Sequence, residues 1–283
     1  MEVKEILMEA IQKTKVKGVG LLRERRIEGK IVCAYLLGSR YVGMNLPTSD
    51  YDFIVVTSPT EEELYKGTRT EFRGKAYFDD FTAEVQYIDI RTYVDWILKS
   101  KLQAQQMLYV EPKDVFFIPE GRYVSKKTAD LAVFVAYLTT NRDQFALLSP
   151  VTLMGELKGQ LYSQLDSYHR AEDHGQFERS TKHLVEAVYL GQIASSVLNG
   201  TGVSKVIKFN SEQQETYKKL RESSTASERS DLLWLVQDAY SKADSFTLTR
   251  LKTKQPEDYK ERCKALEKSV RDIILGSEKR VWQ

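Results

Sequence analysis

The chain has 283 residues, with 42 Lys+Arg against 40 Asp+Glu, a formal net charge of +2 and a hydrophobic content of 42%. That length suits one or two domains with enough apolar residues for a real core, and the composition excludes collagen-like, low-complexity and wholly disordered chains. A charge so near balance argues against a dedicated nucleic-acid coat, and no apolar run reaches the roughly 20 residues needed to span a bilayer.

The first residues, MEVKEILMEAIQKTK, mix charges among apolar positions, so no secretory signal is expected. Val3, Ile6, Leu7, Ala10 and Ile11 recur at helical spacing and predict a helix within residues 2–28. The run Ile31–Leu37, rich in strand formers and bounded by Gly38, predicts a buried strand. Residues 43–49, with Asn45 and Pro47 among them, read as a loop, and Tyr51–Thr57 reads as a second strand ending at Ser58-Pro59. Thr60 followed by Glu61, Glu62 and Glu63 has the form of a capped helix start. Residues 70–77 and 83–90 are strand candidates, with Asp79 and Asp80 in the turn between them. Apolar residues then recur at helical spacing over residues 92–108, 125–139, 151–170, 178–198, 211–222, 228–245 and 257–275. The expected fold class is α+β: a small mixed β-sheet with flanking helices over residues 1–122, then an all-helical domain over residues 123–283. No internal repeat and no long Pro/Gly/Ser linker separates the two, so they are expected to pack closely. Cys33 and Cys263 form neither a CxxC pair nor a disulfide framework, so reduced thiols and a cytoplasmic setting are expected.

The stretch that carries chemistry runs from Tyr35 to Val56. An apolar strand ends at Gly38-Ser39, and after a spacer of ten residues Asp50-Tyr51-Asp52 opens another. On a strand, residues i and i+2 share a face, so Asp50 and Asp52 project together. Two carboxylates that close repel unless a cation lies between them, and hard cations such as Mg²⁺ take oxygen ligands and substrate phosphates. Gly38 lets the backbone approach a phosphate, and Ser39 offers an N–H and a hydroxyl, especially if a helical turn begins there. A DxD pair alone also suits a solvated surface turn. The order of strand, Gly-Ser, spacer and Ser49-Asp50-Tyr51-Asp52 opening a second strand favours the functional reading.

Leu37-Gly38-Ser39 followed by Asp50-Tyr51-Asp52 resembles the signature of the polymerase-β-like nucleotidyltransferase superfamily. Ser39-Arg40-x-x-Gly43 and Ser49-Asp50-Tyr51-Asp52-Phe53 resemble its RNA-ligase-associated branch, found in bacteria and phages. Ile90-Arg91-Thr92-Tyr93 resembles that branch's motif opening a helix, and Met154-Gly155 with Gln160-Leu161 its Gly-x-x-x-x-Gln-Leu helix. His183 and the later Asn199-Gly200 resemble its histidine-bearing helix ending in a Gly turn. The resemblance implies a third carboxylate on a neighbouring strand, which by position is Glu84 where the branch more usually has aspartate. Asp89, on the opposite face of the same strand, is the competitor, and Glu84 is favoured. The branch's arginine shortly after the histidine is missing, and Arg179 and Lys182 are the nearest substitutes.

The resemblance implies transfer of a nucleoside monophosphate from a nucleoside triphosphate, ATP first, with release of pyrophosphate. Asp50, Asp52 and Glu84 would hold two Mg²⁺ ions, or Mn²⁺, roughly 3.5–4 Å apart. Gly38, Ser39, Arg40 and Ser49 would bind the nucleotide, with Lys158 and Lys182 adding cations across the cleft. The implied acceptor is an RNA end, tRNA included, in a bacterial or phage-infected cytoplasm and with no membrane partner. Protein nucleotidylation is the enzymatic alternative, and a non-catalytic sensor of Mg–nucleotide the alternative of another class.

The remaining candidates read as structural. The spacing of His169, His174 and His183 does not suit a helical zinc site, and sixteen tyrosines show no stacking pattern. Residues 250–283 hold ten Lys+Arg against six Asp+Glu, an excess that interleaved charges on an exposed helix explain as well as nucleic acid does.

Overall fold

The apolar run after residue 30 forms the centre of the sheet, in a computed structural model that describes residues 2–14, 30–69, 71–111, 114–116, 125–245 and 256–276. Five strands, β1 (Ile31–Leu37), β2 (Tyr51–Thr57), β3 (Glu71–Tyr77), β4 (Thr82–Asp89) and β5 (Val115–Phe116), lie in the order β3-β4-β2-β1-β5. Strands β2 and β4 are parallel and the other pairs antiparallel, so the sheet is mixed. The structure therefore has the expected α+β class, and β1 and β2 have the boundaries their apolar runs predict.

Alternation gives the sheet two faces. Phe53, Val55, Val85 and Tyr87 point one way, where Ile6, Leu7, Ala10 and Ile11 of α1 (Val3–Lys13) cover them. Residues 15–28 of the expected first helix lie outside the described residues. Ile54, Val56 and Ile88 point the other way, into a larger core built with helices. These are α2 (Gly38–Val42), α3 (Glu61–Lys66), α4 (Ile90–Leu98), α5 (Leu102–Tyr109), α6 (Lys126–Thr140), α7 (Arg142–Phe145), α8 (Pro150–Asp173), α9 (Phe177–Asn199), α10 (Ser211–Ser223), α11 (Ala226–Asp244) and α12 (Tyr259–Leu275). The helix expected over residues 92–108 is instead two, α4 and α5. They break at Ser100, which is fully buried with φ +50° and whose Oγ accepts the Ser149 N–H at 2.8 Å.

The larger core runs without interruption from Val32 to Ile274. Helix α6 packs on β1, and α12 packs on α4 and α6, so sheet and helices share one apolar interior across residue 122. Helices α8 and α9 pack along one another, and α8 also packs on α5. Among the described residues no helix is long and apolar enough to cross a membrane.

Candidate active site

Strand register brings the first carboxylates together. Asp52 of β2 lies directly opposite Glu84 of the parallel β4, and Leu37 of β1 is its neighbour on the other side. Asp52, Glu84 and Gln86 therefore share the face that looks toward the helices. Asp50 sits just before β2, where its Oδ1 accepts the Thr82 N–H at 3.3 Å. Asp89 lies elsewhere: it is fully buried, caps α4 through the Arg91 N–H at 2.7 Å and pairs with the Arg91 guanidinium at 2.7 Å.

Where β1 ends, the chain turns sharply beneath Asp52. Gly38 has φ +66°, and a Cβ there would stand 2.0 Å from Asp52 Oδ2. Both the backbone conformation and the space require glycine. Gly38→Ala is expected to cost about 1–3 kcal/mol of stability and to displace the Asp52 carboxylate. Chemical denaturation together with turnover checks this, and a variant as stable and active as wild type would refute it.

Crowding of like charge marks Asp52. Burial raises its carboxyl above the ordinary range, Glu84 and then Asp50 push it further up, and Lys182 and Lys75 oppose the rise. Glu84 is drawn toward β3, with Lys75 at 3.4 Å and Arg73 at 3.6 Å. A carboxyl raised on folding binds more protons folded than unfolded. Its contribution is complete below its unfolded value, near 3.9, and is lost as pH climbs through its raised folded value. The metal-free wild type should therefore lose stability relative to Asp52→Asn as pH rises from about 4 toward neutrality. Paired melting curves test this, and a gap between the two proteins that is constant with pH would contradict it.

Arg40 has a different position from the one its motif implies. Its Nε donates to the Asp50 carbonyl at 3.2 Å, its Nη2 to the Ser49 and Pro47 carbonyls at 2.6 and 3.4 Å, and its guanidinium lies 3.7 Å from the Tyr51 ring centroid. Ser49 Oγ accepts the Leu46 N–H at 2.9 Å. Arg40 thus holds the loop that aims Asp50, and Ser49 stabilises the same loop from within.

Two cavities meet at Asp52 and Ser39. The larger, about 690 Å³, has Ser49, Asp50, Arg179, Lys182 and Arg221 in its walls. The smaller, about 300 Å³, contains Glu84, Gln86, Gln106, Gln160, Gln164 and Glu186 above an apolar floor that includes Leu37 and Leu190. Arg179 and Lys182, three residues apart on α9, present their charges on one face. Lys158 lines neither cavity: its ammonium pairs with Asp244 on the surface. At 100° per residue it lies about 200° around α8 from Gln160, so α8 brings amides to the site and turns the lysine away.

The sequence reading missed Arg221 and Glu186. Arg221 is buried, its Nη1 donates to the Met44 carbonyl, and its Nε has no hydrogen-bond partner among the described residues. Burial lowers its pKa, against the pull of Glu186 and Glu178. Glu186 is pushed up by burial, against Lys182 and Arg221. His183 Nδ1 lies 2.7 Å from Gln164 Oε1. Burial first, then Arg179, Lys182 and Arg170, lower the His183 pKa, which favours the neutral imidazole beside that amide.

Among the described residues no three His, Cys, Asp or Glu side chains already converge as a cluster that could hold an ion, since Glu84 leans toward Arg73 and Lys75. The donor chemistry nevertheless fits a hard divalent cation. All three candidate ligands are carboxylates, and the repulsion that raises Asp52 is what a cation between them relieves.

No protein-family model matches the chain, and no curated protein sequence matches it. Among solved structures it is similar to a nucleotidyltransferase-like protein from Exiguobacterium sibiricum 255-15. The identity is 13%, the match covers 87% of this chain and 85% of that one, and the TM-score is 0.34. A likeness at that level says nothing of activity or substrate.

Proposed function

We propose that the chain is a nucleotidyltransferase, moving a nucleoside monophosphate from a nucleoside triphosphate, ATP first, onto an acceptor hydroxyl with pyrophosphate leaving. The observation that carries this reading is the position of Asp52, at the junction of a cavity where Arg179, Lys182 and Arg221 offset Asp50 and Glu178 and a second one lined by acids and amides. Arg179, Lys182 and Arg221 suit the β- and γ-phosphates and then the departing pyrophosphate. Asp50 and Asp52, with Glu84 across the parallel strands, would hold Mg²⁺, which when bound neutralises charge developing on the attacked phosphate. Burial, Glu84 and Asp50 disfavour the charged form of Asp52 that ligates, so cation binding strengthens as pH rises through its raised pKa. Glu84, once free of Arg73 and Lys75, is placed to take the proton of the incoming hydroxyl. Gly38 keeps the backbone out of that space, and Arg40 fixes Asp50.

The proposed acceptor is an RNA end, tRNA included. The test is to incubate the protein with Mg²⁺ and each α-labelled nucleoside triphosphate in turn, adding total RNA or total cell protein, with the Asp50→Asn/Asp52→Asn double variant as control. Label on RNA that disappears in the double variant supports the proposal. Label on protein moves the acceptor to a side chain. Mg-dependent nucleotide binding without transfer makes the chain a nucleotide sensor, and neither binding nor transfer removes the reading altogether.

A further inference from the structure

The two cavities that meet at Asp52 differ in their cations: the larger sets Arg179, Lys182 and Arg221 against Asp50, Asp52 and Glu178, the smaller sets Arg73 alone against Asp52, Glu84 and Glu186, and that difference sorts the substrates. In-line displacement at phosphorus requires the attacking oxygen to stand opposite the leaving one. Pyrophosphate belongs with Arg179, Lys182 and Arg221, so the nucleophile comes from the other side, through the 300 Å³ cavity that contains Glu84. The interior of that cavity repels phosphate. Asp52, Glu84 and Glu186 are acidic, and its cation, Arg73, is already paired with Glu84.

What the interior offers is amide. Gln160 Nε2 donates to Glu156 at 3.1 Å and Gln106 Nε2 to the Tyr189 hydroxyl at 3.0 Å. Neither bond uses the amide oxygen, so each glutamine keeps an acceptor beside its second N–H. Planar donor and acceptor groups over an apolar floor match the edge and faces of a nucleobase in an unpaired strand, and a volume of about 300 Å³ lies at the small end of ligand pockets. Beside Glu84 two cations reach into water. Arg73 and Lys75, two residues apart on β3, keep 62% and 56% of their side chains exposed.

Resting on the nucleotidyl-transfer reading above, we propose that this cavity takes the 3′-terminal nucleoside of a nucleic-acid acceptor. Gln106 and Gln160 read its base, and Arg73 and Lys75 receive the phosphodiester behind it. Seating that phosphodiester draws both cations off Glu84. The terminal O3′ then attacks the α-phosphorus, and the new O3′–P bond forms as the bond from that phosphorus to the bridging oxygen breaks. Pyrophosphate leaves toward Arg179, Lys182 and Arg221, and the hydroxyl proton passes to Glu84.

The test uses four short RNA oligonucleotides that differ only in the 3′-terminal base, with Mg²⁺ and α-labelled nucleoside triphosphate. Wild type is compared with Gln106→Leu, Gln160→Leu and Arg73→Ala/Lys75→Ala, and nucleotide binding to each is measured separately by equilibrium dialysis. Wild type should favour one terminal base by roughly tenfold in kcat/KM, the worth of one well-made amide contact. Each glutamine variant should bring the four ends close to equality while binding nucleotide as wild type does. Gln160 is half-buried and, among the described residues, its amide bonds only within α8, so Gln160→Leu keeps the test open if Gln106→Leu fails to fold. The Arg73→Ala/Lys75→Ala variant should raise KM for all four strands alike and leave the base preference intact. Equal use of all four ends by wild type overturns the inference, as does a preference that survives both glutamine substitutions. Intact nucleotide binding with label on protein or on a small hydroxyl compound overturns this inference alone, whereas intact binding with label on nothing makes the chain a nucleotide sensor and removes both readings. Absence of Mg-dependent nucleotide binding in wild type removes the nucleotidyl-transfer reading and this inference with it.

Discussion

Asp52→Asn is expected to lower kcat/KM for transfer by about a thousandfold or more, and at the same time to stabilise the metal-free protein at neutral pH. The two effects have one cause. Asp52 faces Glu84 across the strand register, has Asp50 two residues away and is largely out of water, so its charge is unfavourable without a cation. Asparagine keeps the shape and removes the charge, which relieves the folded state and takes away a metal ligand together. Added Mg²⁺ should therefore raise the melting temperature of wild type and leave that of the variant nearly unchanged. A structural role for Asp52 predicts the opposite pairing, with activity and stability lost together. Transfer kinetics and melting curves on the same two preparations separate the cases, and an active variant would end the assignment of Asp52 as a ligand.

The parts of this architecture legible in the sequence are those where one local pattern suffices. Ile31–Leu37 and Tyr51–Thr57 are apolar runs between turn residues, and both form strands with those bounds. The pairing of Asp52 with Glu84 needed knowledge of which strands adjoin. Periodicity cannot supply that, although the alternation separating Glu84 from Asp89 was readable, and the structure sets Glu84 opposite Asp52 and Asp89 at the cap of α4. Gly38–Val42 is five residues, too short for a helical period to show, and Ser100 breaks a helix through a hydroxyl contact with Ser149, forty-nine residues on. Arg221 was illegible for the same reason. It comes from α10, reaches the site through the Met44 carbonyl, and its neighbours Tyr217 and Leu220 read only as an amphipathic face. Lys158 misled because a lysine near a motif glutamine looks like a phosphate ligand until the helix is wound, which sets it on the far side with Asp244.

The cations that do face Asp52 carry the second large expected effect. Arg179→Ala/Lys182→Ala should weaken nucleoside triphosphate binding by about a hundredfold, taking roughly 1.5 kcal/mol for each charge-assisted contact. The low end of the range applies because both side chains are partly in water, with 47% of Lys182 exposed and Glu186 at 3.8 Å sharing its charge. Lys158→Ala is the matched control. It removes one positive charge, as Lys182→Ala alone does, from the same hairpin, but from a surface pair with Asp244, and should leave nucleotide affinity as it was. Net charge alone would make the lysine variants alike, whereas directed contact separates them. The difference should also shrink as salt is raised, since wild-type binding is screened and the double variant has little left to screen. Equal affinities for wild type and the double variant would mean that the polyphosphate does not lie along α9, and the assignment of the two cavities to leaving group and acceptor would have to be reversed.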